Sequence, residues 1–314
     1  MNKSFKIIDD FIRDIYGFVF LKESIDARIA SNGLLPILYA HGAIMSIIQE
    51  RRPPFADEFV RHVYPLLEVA VHWQQLKEKN GLTGEFVDAC KKRMLNANAG
   101  NFFGVIFEVD MACRSLLSGW RTEFVEDCTK QGQSQIDFVF FRHGKSLAID
   151  CRSLRFAGFF SSADLDIRKI DSAVVEHAQK FKAEHLDKIV ERLGTSPDER
   201  VLVMDITAQN YATPQVLTAL DMLAVPADLD ALLFTWREDL LDGKENHILR
   251  AMYKSVGRID YRYFSITYEA RFVKTNRGYA FFMRPYVEPE PIVVVGQSES
   301  LEEYERKREI EAEN

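Results

Sequence analysis

The chain has 314 residues, 47% of them hydrophobic, with a formal net charge of −7. That length and apolar content suit a globular protein with one large domain or two, not a fibrous or disordered chain. Four cysteines (Cys90, Cys113, Cys128, Cys151) show no CxxC or zinc-ligand spacing, which fits reduced thiols in a cytoplasmic protein better than a disulfide frame.

The first segment, MNKSFKIIDDFIRDIY, mixes acids into its apolar residues and lacks a signal-peptide core. Residues 1–100 read as a helical region. Phe5, Ile8, Phe11 and Ile12 recur at helical spacing, and Leu34 to Gln49 and Ala56 to Lys79 carry similar stripes, separated by the break Arg51-Arg52-Pro53-Pro54. The most apolar run, LLPILYAHGAIMSII, is interrupted by Pro36, His41 and Gly42, so no membrane span is expected. Such a helical region packs on the rest of the chain and could also make a homodimer.

Asn101 to Ser118 reads as a further helix ended by Gly119. Glu108 on it is flanked at helical spacing by Gly104, Val105, Met111 and Ala112, a surface suited to packing on a sheet. A glutamate there needs an arginine, a metal or a route to solvent. Trp120 to Asp127 alternates as a strand, and Cys128 to Ser134 is a polar loop.

Gln135 to Arg152 then reads as a hairpin closed by Arg142-His143-Gly144-Lys145, with Gly144 supplying a positive φ. If Arg142 and Lys145 close the turn, Ile136 faces Cys151, Asp137 faces Asp150, and Gln135 faces Arg152. Side chains alternate, so Ile136, Phe138, Phe140, Leu147, Ile149 and Cys151 form an apolar face, and Asp137, Asp150 and Arg152 share the other. Carboxylates meeting across a ladder destabilise it. A divalent metal or Arg152 itself is the expected compensating cation.

After a turn near Gly158, Ala163 to Leu193 reads as a long helix with a stripe at Ile170, Val174, Ala178, Phe181 and Ile189, ended by Gly194. His177 and His185 lie two turns apart on it, too far to share an ion, and read as exposed polar residues. Val201 to Thr207 is a buried strand, followed by a helix from Pro214 to about Leu223, a strand Ala231 to Trp236, and a helix from about Asp239 to Ser255. Trp236-Arg237-Glu238 thus ends a strand in this reading. An aromatic hairpin turning at Thr275 to Gly278 comes next, Ile292 to Val295 reads as a last strand, and 297–314 as a charged tail.

Charge is unevenly spread. From Glu288 onward nine acids stand against three bases, whereas between Arg258 and Tyr286 six bases stand against two acids among many tyrosines and phenylalanines. The net charge therefore does not exclude a nucleic-acid partner. Arg262, Arg271, Lys274 and Arg277 are the candidate phosphate contacts, with tyrosines available for base stacking.

From Asn101 the order is helix with Glu108, strand, Asp137 after an apolar residue, Asp150-Cys151-Arg152 after a hairpin, long helix and buried strand. This order resembles the PD-(D/E)xK nuclease superfamily over roughly Asn101 to Thr207. The resemblance implies an α/β fold, a restriction-endonuclease-like mixed sheet flanked by helices, spanning 101–296 with a C-terminal β extension. It also implies a metal-dependent endonuclease acting on phosphodiester bonds, most naturally DNA. By position, Asp137, Asp150 and the Cys151 carbonyl would hold Mg²⁺ or Mn²⁺, with Glu108 an outer ligand. Two departures stand out: Ile136 replaces the motif proline, and Arg152 replaces its lysine. A guanidinium stays protonated and cannot act as a base, so Arg152 would orient water or stabilise charge. The alternative expectation is a catalytically inactive nuclease-like domain that binds nucleic acid or protein.

Overall fold

A computed structural model of the chain describes residues 3–21, 34–48, 62–125, 138–153, 167–180, 190–191, 194–206, 217–218, 220–241, 247–257, 267–275 and 278–286. Among the described residues five helices come first: α1 (Lys3–Tyr16), α2 (Leu35–Ile48), α3 (Tyr64–Glu78), α4 (Gly84–Asn96) and α5 (Phe102–Leu117). Strands β1 (Arg121–Phe124), β2 (Phe138–Arg142) and β3 (Lys145–Ser153) follow, then helix α6 (Ile167–Lys180). Strands β4 (Glu199–Asp205), β5 (Ala231–Leu241), β6 (His247–Gly257), β7 (Thr267–Thr275) and β8 (Gly278–Tyr286) follow. The eight strands form one mixed sheet in chain order. β3, β4 and β5 run parallel, and every other neighbouring pair is antiparallel. No helix among the described residues is long and apolar enough to cross a membrane.

The hairpin takes the expected register, from Phe138 opposite Ile149 to Arg142 opposite Lys145. Both central turn residues have positive φ, His143 at 50° and Gly144 at 76°. A type I′ turn, whose twist matches that of the flanking strands, requires this conformation at both central residues. Histidine tolerates it better than a β-branched residue would.

Helix α5 ends as anticipated. The Gly119 N–H donates to the Leu116 carbonyl and the Trp120 N–H to that of Ser115, with Gly119 at φ 83°. These are the two bonds of a Schellman ending, which turns the chain directly into β1.

Two cores sandwich the sheet. One joins Phe5, Ile8, Phe11 and Ile12 of α1, the inner residues of α3 and α5, and Phe138, Phe140, Leu147, Ile149, Cys151, Val201, Val203 and Leu233 of the strands. The other gathers Val139, Ala148, Leu202, Met204, Phe234 and Trp236 under Ile170, Val174 and Ala178 of α6. The alternation of strand side chains between these two groups is the two-residue period of a sheet covered on both sides.

One segment departs from the sequence reading. The helix expected over Asp239 to Ser255 is absent: β5 continues to Leu241, and His247–Gly257 is strand β6, paired with β5 along its whole length. Ile248, Leu249, Met252 and Val256 satisfy helical spacing, so periodicity alone does not decide between the two. An eleven-residue ladder with β5 decides it. Trp236 consequently sits within β5, not at its end.

The helical layer contains a buried ionic network. His72 Nδ1 lies 2.6 Å from Asp110 Oδ1, Arg114 Nε donates to Asp110 Oδ2 at 2.7 Å, and Arg114 Nη2 to Glu68 Oε1 at 3.1 Å. The Arg114 Cζ stands 5.3 Å from the Tyr253 ring centroid. Glu68 and His72 sit one turn apart on α3, Asp110 and Arg114 one turn apart on α5, and all four are buried. The network pins α3 to α5 and α5 to β6. Arg114→Met would leave two buried carboxylates without their cation and is expected to cost about 3–5 kcal/mol. Urea unfolding measures this; a loss under about 1 kcal/mol would show that the network is dispensable.

Candidate active-site face around Asp150

Asp150 lies near the end of β3, with Ile149 and Cys151 turned to the α5 side and Ala148 to the α6 side. Strand alternation therefore turns Asp150 and Arg152 toward α6. Asp150 is fully buried, at 0% exposure. Its strand partner on β4 is Leu202, part of the apolar layer beneath α6. Leaving an ionised carboxylate alone in such surroundings would cost several kcal/mol.

Arg152 supplies the charge that answers it. Its Nη2 stands 2.7 Å from Asp150 Oδ1, an ion pair. Its Nη1 donates to the Cys151 carbonyl at 2.9 Å, and its Nε to His177 Nδ1 of α6 at 3.2 Å. Each guanidinium nitrogen thus has a partner. Because Arg152 Nε donates, His177 Nδ1 accepts, which leaves the ring proton on Nε2. The Arg152 side chain remains 23% exposed, so the ensemble reaches solvent at its guanidinium edge.

His177 was not legible as a member of this site, yet a signal was present. It lies three residues after Val174 and seven after Ile170, on the flank of the stripe that buries against the sheet. The face of β3 that carries Asp150 and Arg152 is the face beneath that stripe. His185 falls outside the described residues.

The other anticipated site residues are distributed as follows. Asp137 lies outside the described residues. Glu108, on α5, accepts from Arg93 Nη1 of α4 at 2.8 Å. The Arg93 Cζ stands 4.7 Å from the Phe124 ring and 5.7 Å from that of Phe138, so this pair belongs to the α5 side. The sheet therefore separates Glu108 from Asp150. Cys151 turns its thiol to the α5 side and offers the Asp150 side only its carbonyl, which Arg152 holds. Arg271 and Lys274 stand on β7, opposite Phe282 and Tyr279 of β8. Arg262 and Arg277 lie outside the described residues.

A metal would need donors that converge. Among the described residues no three His, Cys, Asp or Glu side chains are grouped to hold an ion. The donors that do converge at Arg152, the Asp150 carboxylate, the Cys151 carbonyl and His177 Nδ1, meet a guanidinium. In that arrangement they do not fit Mg²⁺, which prefers several oxygen ligands in octahedral array. No family model, curated protein or solved structure matches the chain.

The cysteines are separate from this chemistry. Among the described residues, Cys90, Cys113 and Cys151 are buried and in no disulfide, and burial pushes the Cys90 and Cys113 thiols up, away from the reactive thiolate. Iodoacetamide at neutral pH is expected to leave all three unmodified in the native protein and to alkylate them in concentrated urea, read by mass spectrometry. Native labelling of Cys151 would contradict the turning of its side chain into the α5 core.

Proposed function

We propose that this chain is a nuclease-like domain that binds nucleic acid, with DNA the first candidate. The reading rests on the PD-(D/E)xK order of elements: helix α5, hairpin β2–β3, helix α6 and parallel strand β4, with acid and base two residues apart on one face of β3. The observation that carries binding over hydrolysis is the placement of Arg152, whose guanidinium holds both the Asp150 carboxylate and the Cys151 carbonyl. Those are two of the groups that a metal-dependent nuclease of this order would give to its ion. The antiparallel pair β7–β8, with Arg271 and Lys274 among aromatic residues, is the element best suited by composition to contact phosphates and stack on bases.

Metal-dependent hydrolysis is the second reading. It is favoured by the position of Asp150 and Arg152 together on the α6 side of β3, directly after the hairpin. Mg²⁺ or Mn²⁺ in such a site supplies a polarised phosphate and an activated water. Its ligands would have to include Asp137 together with Asp150 and the Cys151 carbonyl. Arg152 would contribute by holding water or stabilising developing negative charge, because guanidinium does not deprotonate.

Fluorescence anisotropy with single- and double-stranded DNA tests the first reading. Binding should weaken steeply between about 50 and 200 mM salt, as counterion release requires, and Arg271→Glu with Lys274→Glu should reduce it about tenfold or more. No binding at low salt would remove the proposal. Plasmid incubated with Mg²⁺ or Mn²⁺ should stay intact; nicking by the parent protein that Asp150→Ala abolishes would establish the second reading instead.

A further inference from the structure

Arg114 Nη1 and Thr235 Oγ1 are buried on the α5 side of the sheet, and neither meets a hydrogen-bond partner among the described residues. Arg114 is 1% exposed and Thr235 0%, so bulk solvent reaches neither. Both adjoin one ring. Leu233 of β5 belongs to the α5-side core, and Phe234 and Trp236 to the other, so the two-residue period turns Thr235 toward α5. Its partner across the antiparallel β5–β6 ladder is Tyr253, a member of the same α5-side core. Directly opposed residues carry their Cβ atoms about 5 Å apart. The Arg114 guanidinium comes to that ring from α5, its Cζ 5.3 Å from the centroid.

Buried donors and acceptors in folded proteins are overwhelmingly hydrogen-bonded, either to protein or to internal water. Arg114 is not free to turn Nη1 elsewhere, because its Nε donates to Asp110 Oδ2 and its Nη2 to Glu68 Oε1. The Tyr253 ring attracts the cation as a whole, but a π face is a second-order acceptor beside an oxygen. Charge selects the occupant. Arg114, Glu68 and Asp110 together carry −1, and His72, which faces Asp110, brings the sum to zero only when protonated. That balance never favours an anion, and the guanidinium repels a cation. A neutral molecule that accepts from Nη1 and donates to Oγ1 fits. The depth of both atoms limits it to one water, for which two polar partners suffice.

We infer that one internal water bridges Arg114 Nη1 to Thr235 Oγ1 beside the Tyr253 ring, joining the ionic network of α3 and α5 to the interior strand β5. The site lies on the opposite side of the sheet from Asp150. It uses none of the contacts invoked in the proposed function, and its test involves no DNA.

Crystallography and one isosteric substitution test this in the full chain. The parent crystal structure should show density within hydrogen-bonding reach, about 3 Å, of both Arg114 Nη1 and Thr235 Oγ1. Thr235→Val keeps the shape of the side chain and removes the hydroxyl. It should lower Tm by about 2 °C or more, the shift that loss of one buried hydrogen bond brings in a chain of this size. A hydroxyl buried without a partner gives the opposite sign, because valine relieves the cost of burying it. An unchanged or raised Tm in a cooperative melt overturns the inference. So does a parent structure with no density there, with density that touches only one of the two atoms, or with a direct Arg114–Thr235 hydrogen bond. The parent structure decides alone should the variant not fold.

Discussion

A carboxylate buried between a sheet and a helix cannot be left without a cation, and the placement of Asp150 imposes that requirement on everything around it. Its β4 partner Leu202 and the α6 stripe of Ile170, Val174 and Ala178 are apolar, and Asp150 itself is fully buried. The charge has to come from the chain or from a bound ion. Arg152, two residues along the same strand, is placed by the two-residue period on the same face, and its side chain is long enough to turn back on Asp150. The spacing that makes the segment look like a metal-binding nuclease motif is thus also the spacing that lets an arginine make the metal unnecessary.

The rest of the fold holds that arrangement in position. The α3–α5 layer presses the other side of β3 through Ile149 and Cys151, while α6 covers Asp150's own side with Ile170, Val174 and Ala178 and delivers His177 to Arg152. The buried ions of the helical layer, Glu68, His72, Asp110 and Arg114, obey the same rule as Asp150: each carboxylate is met by a cation or an imidazole. Glu108 follows it too through Arg93. Buried pairs of this kind add little net stability, but they penalise any register that would separate them.

Legibility in the sequence varied with the range of the interactions involved. The β2–β3 register was readable because a two-residue turn sets every later pairing, and the apolar alternation of Phe138, Phe140, Leu147, Ile149 and Cys151 leaves one consistent choice of face. The ending of α5 was readable because Gly119 is a local signal. Strand β6 was not, since Ile248, Leu249, Met252 and Val256 satisfy a helical pattern and only pairing with β5, distant from any local rule, selects the strand. The pairing of Glu108 with Arg93 was open between an arginine and a metal, because it depends on how α4 docks on α5. The place of His177 was hidden for a related reason: its helix follows the expected stripe over Ile167–Lys180, but which strand face lies beneath it is a tertiary fact.

The central claim is that Asp150 and Arg152 act as a unit, with the guanidinium as the site's cation. A double-mutant cycle of Asp150→Asn and Arg152→Gln, measured by urea unfolding, tests it most directly. The predicted coupling energy is about 1–3 kcal/mol, the double variant being more stable than the sum of the single losses implies. Losses that add to within about 0.5 kcal/mol would contradict it, because the carboxylate would then be finding its compensating charge elsewhere.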